Sequence, residues 1–518
     1  MKKILRGGVA VLLLGVMLSF SGCLSLLLVP TYQNRAYMEP DMTRVEYLID
    51  SLNDLCQDPA NERSLYNTYA ELNQLIVDYS TSYRRAMIDY YLNTSAENLR
   101  RYQETEAFFI ELQPAIQQLE KGLFSSPSKA LFEEWLGAAY VASVLDQPEI
   151  TEEQTALSRQ ESELVSEYSQ LDLSDPADQT RADALYLELL DIRQQYAEAC
   201  GYDSYVDYAF AEVYIRDYDL DDLAVLYAAV RADFPALYAQ ALSGYEPFFL
   251  GYSESEILNV LRIYTEQIDP DMPSVVDRMV RYNLYDSSVN STKMQNTTSF
   301  VIEFPQYGDA YLFLQPGSSL EFSDLQTVIH EFGHYNEVFA SDSLKELGMG
   351  YQSMDLAEIH STGLELLFQQ FYDDFLPASA VQAATDQLLA NYLWAVVSAA
   401  AFSEFEFYAL TAEEPTVADL EAEFDRLMAA YGISTSYSYR DIPHFYQSPA
   451  YYVSYLTASM AAGAIWTSAA PEETYLNVVS YGTDNYFCAV LEACGLPSVF
   501  SASTAEAVAD RIGALLAA

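Results

Sequence analysis

The chain has 518 residues, 51% of them hydrophobic and 14% aromatic, with 43 tyrosines. That is ample material for a packed core and excludes a disordered chain. Its 76 acidic residues against 25 basic ones give a formal charge of −51, which repels nucleic acid and anionic headgroups and draws in cationic peptides at low salt.

Residues 1–22 read as an export signal, with Lys2, Lys3 and Arg6 ahead of a short apolar run from Val9 to Phe20. The run ends Phe20-Ser21-Gly22-Cys23, which resembles a bacterial lipobox. The resemblance implies an exported chain, lipid-anchored through Cys23 to the outer face of the bacterial cell membrane. Residues 23–40 hold Pro30 and Pro40 without periodicity and read as a tether. No later apolar run approaches the 18 residues of a membrane span. Cys56, Cys200, Cys488 and Cys494 lack zinc-ligand spacing; they are expected as disulfides in one of three pairings or as buried thiols.

From Thr43 to Tyr245 the apolar periodicity predicts helices over 43–56, 62–94, 97–121, 128–144, 151–170, 178–199, 204–215 and 219–243. Pro114, Pro127, Pro148 and Pro176 are expected to break or bend them. A change at Gly201 divides an N-terminal helical region, 41–200, from the remainder, 201–518. The fold class is mainly α, with one small β-hairpin. Its strands are SFVIEF and AYLFL, between Thr298 and Leu314, joined by a turn at 305–309. A strand edge there is suited to an extended peptide backbone.

The hairpin leads into SDLQTVIHEFGHYNEVF, Ser323 to Phe339, which holds two of the four histidines in the chain. Ser323 and Gln326 resemble a capping box at the start of a helix. On that helix Leu325, Val328, Ile329 and Phe332 share one side. His330 and His334 share the other, one turn apart. Two imidazoles so placed can grip one zinc ion, and Glu331 between them can take a proton from water. Glu337, one turn beyond His334, is a candidate to orient a ligand.

Two histidines need a third protein ligand if the fourth position is to stay open. In MDLAEIHSTGLELLF, Met354 to Phe368, a helix puts Glu358, Thr362 and Glu365 on one face. Leu356, His360, Leu364, Leu367 and Phe371 fall on the other. Glu358 is the expected ligand, Glu365 a partner for a histidine ligand, and His360 a buried core residue. A capping box of Asp355 and Glu358 is the competing reading. The fourth histidine, His444, precedes Tyr446, Tyr451, Tyr452 and Tyr455. Tyrosine O–H and imidazole N–H groups suit an oxyanion, although aromatic core packing explains them on composition alone.

HEFGH, the 24-residue step from His334 to Glu358, IPHFY and YYVSY together resemble the zinc oligopeptidases of the oligoendopeptidase F and thimet oligopeptidase type. GYDSYVDYAFAEVYIRDYDLDDL and AFSEFEFYAL resemble further segments of that family. The resemblance implies a helical ellipsoid with a deep central channel, a small sheet beside the HExxH helix, and residues 201–518 as the catalytic domain. It implies one zinc ion per chain on His330, His334 and Glu358, with Glu331 as general base. It assigns transition-state contacts to His444, Tyr452 and Tyr455. The expected function is zinc-dependent endopeptidase action on short oligopeptides. The alternatives are a surface lipoprotein that binds peptides without turnover and a zinc aminopeptidase.

Overall fold

Amphipathic periodicity becomes helix along most of the chain in the computed structural model. The structure describes residues 30–146, 151–168, 170–244, 249–294, 298–304, 306–340, 352–434 and 437–517. The signal segment, Cys23 and Pro148 lie outside the described residues.

Two prolines behave as expected and one does not. Pro176 opens its helix, Pro176–Ala199, where its missing N–H costs nothing, and Asp175 caps that end through the Ala177 N–H. Pro127 lies in the turn before Lys129–Leu136. Pro114, expected as a break, sits inside the uninterrupted helix Ala96–Phe124. Leu112, Ile116, Leu119 and Leu123 on that helix are buried in one apolar core, and this packing outweighs the one lost backbone bond. The break falls instead at Gly137, whose φ of +90° divides the expected 128–144 helix into Lys129–Leu136 and Ala138–Asp146.

The chain separates into two compact units. One contains residues up to Pro148 and Leu250–Ala340. Its helices Met42–Leu55, Glu62–Leu92 and Ala96–Phe124 enclose Val45, Leu48, Leu52, Leu65, Leu72 and Phe132. A three-stranded sheet follows: β1 Tyr285–Asp286, β2 Phe300–Phe304 and β3 Asp309–Phe313, in the order β1-β3-β2. β2 and β3 form the expected antiparallel hairpin, Phe300 opposite Phe313 and Phe304 opposite Asp309. The short β1 joins β3 in parallel.

The central strand is also tied to the start of the chain. Within the segment read as a tether, Tyr32–Asn34 form a single 3-10 turn, and Tyr32 packs on Tyr311 with ring centroids 4.6 Å apart. Arg35 is buried and donates from both terminal nitrogens to the Asp309 carboxylate at 2.8 and 2.6 Å. This planar, two-bond geometry satisfies both terminal nitrogens of Arg35, and Arg278 adds a contact to Asp309 at 3.3 Å. The helix Phe322–Ala340 packs on β2 and β3, and on Glu254–Ile268 and Met272–Arg281.

The second unit contains Glu149–Phe249 and Ser341–Ala518. Helix Val381–Thr411 packs against Leu220–Gly244 and Tyr452–Trp466. It is long and apolar enough to cross a membrane, with a mean hydropathy of 1.3 over 18 residues, but 78% of that window is buried. Ser398, Ser403 and Glu406 interrupt the apolar run in sequence, and all three are buried.

Helix Met354–Phe368 lies along Tyr452–Trp466 and Pro471–Tyr481. A Cβ on Gly363 would stand 3.0 Å from the Tyr475 ring. The bare glycine lets that ring close on the helix, where its hydroxyl donates to the His360 carbonyl at 2.7 Å. Cys56, Cys200, Cys488 and Cys494 are free thiols.

Candidate metal centre and active site

The apolar stripe on Phe322–Ala340 is buried as its periodicity requires, with Leu325, Val328, Ile329 and Phe332 all inside. His330 and His334 on the opposite side are half-buried, their ring centroids 5.2 Å apart and their planes nearly perpendicular at 79°. Glu331 and Glu337 are buried. The helix end differs in detail from the sequence reading. It starts at Phe322, and Asp324 rather than Gln326 reaches back, accepting from the Glu321 N–H at 2.8 Å. A carboxylate in the first turn also complements the positive end of the helix dipole.

The second helix divides its faces as the spacing predicts. Leu356, His360, Leu364, Leu367 and Phe371 are buried, and Glu358, Thr362 and Glu365 are half-buried. Ser353 caps this helix through the Leu356 N–H, so Glu358 is not needed for a capping box. Ser361 instead donates to Glu358 Oε2 at 3.0 Å, orienting the carboxylate. Asp355 is engaged by the Tyr218 hydroxyl at 3.0 Å.

His330, His334 and Glu358 each offer a ligand atom, and these atoms all lie within 4.8 Å of one another. Among the described residues no other group of histidine, cysteine, aspartate and glutamate side chains has this property. Two imidazoles and one carboxylate, each half-buried, fit a catalytic zinc ion: three protein ligands leave a position open.

His444 sits in the short helix Pro443–Gln447, and the tyrosines follow at the start of Tyr452–Trp466. The structure gathers them into one aromatic group. His444 stacks on Tyr451 at 5.4 Å and meets Tyr452 at 5.1 Å and Tyr455 at 6.4 Å. Burial holds the His444 pKa below the usual histidine range, so the ring is neutral at pH 7, with one N–H to donate.

The tyrosines are not equivalent. Tyr452 packs on Phe402 at 5.1 Å and Phe445 at 5.8 Å. Its phenol is pushed up by burial, then by Tyr455 and Glu406. Tyr451 is pushed up by burial and then by the Glu358 charge. Of the tyrosines it is Tyr451, to which the sequence reading assigned no role, that stacks on His444. Adjacent tyrosines at a helix start face directions about 100° apart, and only the three-dimensional arrangement tells which one stacks on His444.

This segment has little regular structure, and its backbone is held by side chains from elsewhere in the unit. Arg193, buried, donates to the carbonyls of Phe445, at 2.8 Å, and Tyr446. Tyr168 stacks on Tyr446 with centroids 3.7 Å apart. Tyr214 donates to the Pro449 carbonyl at 2.8 Å.

A mainly helical fold, a small sheet against the HExxH helix and a His-His-Glu donor set define a peptide-hydrolysing metallopeptidase. Residues 271–496 match the family model Peptidase family M3. No curated protein matches the sequence. Solved structures share the fold over nearly the whole chain. Pz peptidase A with an inhibitor is 17% identical, covering 94% of this chain and 99% of its own, with a TM-score of 0.73. A provisionally named oligoendopeptidase F is 20% identical, covering 95% and 99%, with a TM-score of 0.74. The oligoendopeptidase F of Enterococcus faecium is 14% identical, covering 92% and 96%, with a TM-score of 0.56.

Proposed function

We propose that this metallopeptidase is a zinc-dependent endopeptidase acting on short oligopeptides. The observation that carries the reading is the His330, His334 and Glu358 donor set with Glu331 inside the same motif. Zinc held there would polarise the scissile carbonyl and make water more acidic. Glu331, buried beside the ligands, takes the proton of the attacking water and hands it to the leaving amine. A Tyr451 hydroxyl and the neutral His444 ring donate to the oxygen as it gains charge. Tyr451 is preferred to Tyr452 because it stacks on His444, whereas Tyr452 packs on Phe402 and Phe445; Tyr455 completes the aromatic wall.

Glu331→Gln should retain metal and lose about 10²- to 10⁴-fold in turnover. Full activity in the metal-loaded variant removes the assignment. An N-terminally blocked fluorogenic peptide separates the readings: an endopeptidase cuts it, an aminopeptidase leaves it intact, and a binding protein turns over nothing. Glu358→Ala should lose metal during dialysis against a chelator. We also propose export and lipidation at Cys23, a reading that rests on the sequence of residues 1–23 and is tested by mass spectrometry of the mature N-terminus.

A further inference from the structure

We propose that Arg216 is a positioning residue that sets the oxyanion tyrosines against the helix carrying Glu358. The proposal deepens the endopeptidase reading above and rests on it.

The feature begins with backbone. The expected 204–215 helix is in fact one turn, Tyr205–Tyr208, followed by a π-turn, Ala209–Val213. It ends at Val213, and two residues further on Ile215 has φ +49°. A β-branched residue in the left-handed region is strained, and such strain persists only where the surroundings impose it. Its effect is to turn the next residue, Arg216, inward, where the guanidinium is fully buried.

That guanidinium reaches two parts of the site. One terminal nitrogen donates to the Ala450 carbonyl at 2.9 Å and to the Ser454 hydroxyl at 2.9 Å. These contacts bracket Tyr451 and Tyr452. Ala450 itself has φ +64°, a second strained residue, directly ahead of Tyr451. On another side Arg216 Nε lies 3.5 Å from Asp355 Oδ2, three residues before Glu358 on the same helix. The Tyr214 and Phe210 rings stack on the guanidinium at 4.2 and 4.8 Å and fix its plane. One rigid, always-charged fork therefore joins the tyrosine turn to the ligand helix. Lysine, a flexible point charge, cannot span the same set of partners. Arg216 is not placed to touch substrate; it acts through Tyr451 and Glu358.

The test uses Arg216→Lys and Arg216→Met in the full chain, each checked for metal content and thermal unfolding. For folded, metal-loaded Arg216→Lys, kcat on a blocked peptide should fall by about 10²-fold with KM nearly unchanged, as a displaced catalytic group predicts. An unchanged kcat overturns the proposal, and so does a loss that follows metal or fold alone. The second readout needs no turnover. The chain has four histidines, so their ring carbon resonances can be assigned by substitution. His444, packed against three tyrosine rings, should shift in both variants. An unmoved His444 signal overturns the proposal even if the wild-type protein cuts no peptide, an outcome that would itself remove the endopeptidase reading.

Discussion

The two units bury arginine for different ends. In the unit with the HExxH helix, Arg35 meets a carboxylate, Asp309, and the pair ties the start of the chain to the middle strand of a sheet. In the other unit Arg193 and Arg216 also face carboxylates, Glu161 and Asp355, but direct their terminal nitrogens to backbone carbonyls at Phe445, Tyr446 and Ala450. A sheet already satisfies its own backbone, so an arginine beside it needs a charge partner. A five-residue helix followed by a strained turn leaves carbonyls unsatisfied, and a five-donor side chain can collect them. The first use holds regular structure together. The second holds irregular structure in the shape a site requires.

The largest effect is expected from Arg35→Ala, which leaves the buried Asp309 charge only the Arg278 guanidinium, 3.3 Å away. It should cost about 3–5 kcal/mol in denaturant unfolding, while kcat of the folded fraction stays within error. A large loss of kcat at full folding would show that this arginine also serves the site. Next comes Tyr451→Phe, which removes one proposed oxyanion donor and should lower kcat by about 10²- to 10³-fold without changing stability. Tyr452→Phe should do much less, and the reverse order would return the role to Tyr452.

A third test concerns Glu406, fully buried in the unit that holds the tyrosines. Burial raises its carboxyl from 4.5 to about 8, with the Ala450 backbone and the Arg193 and Arg216 charges pulling the other way. Between those pH values the unfolded chain has released this proton and the folded chain has kept it. The group's contribution therefore weakens stability as pH rises from 4.5 to 8, and the loss levels off above 8. Glu406→Gln removes that slope, so its advantage over wild type should grow by roughly 1–3 kcal/mol across the window. Parallel curves for the two proteins would show that Glu406 does not titrate there. The smallest effect is expected at Gly363. Gly363→Ala crowds the Tyr475 ring and should cost about 1 kcal/mol with little change in metal affinity.

Both helices, the one with His330 and His334 and the one with Glu358, were legible in the sequence because their information is periodic. The buried stripe from Leu325 to Phe332 and the Glu358, Thr362, Glu365 face follow from turn geometry alone. His330 and His334 stood out because histidine is scarce. Asp324 as the cap was missed because two overlapping capping patterns were available, and only the helix start at Phe322 decides between them. Tyr451, Arg193 and Arg216 were not legible as positioning groups. The contacts of Arg193 and Arg216 join residues more than 130 apart, and the turn ahead of Tyr451 depends on left-handed backbone at Ile215 and Ala450, which no local pattern encodes. Pro114 was misread because its surroundings, not its own preference, decide that helix.

The salt bridge between Arg35 and Asp309 has a consequence for the order of events during synthesis. The unit that it closes is interrupted after Pro148 and resumes at Leu250. Its first helices leave the ribosome well before Asp309 exists. At roughly 5–20 residues per second, the 161 residues from Pro148 to Asp309 (309 − 148) take roughly 8–30 s to emerge. For that interval Arg35 and Tyr32 lack the sheet that buries them. The nascent N-terminal bundle must therefore remain soluble with an unfinished face, and the acid-rich composition of the chain supplies the repulsion that keeps such faces from meeting one another.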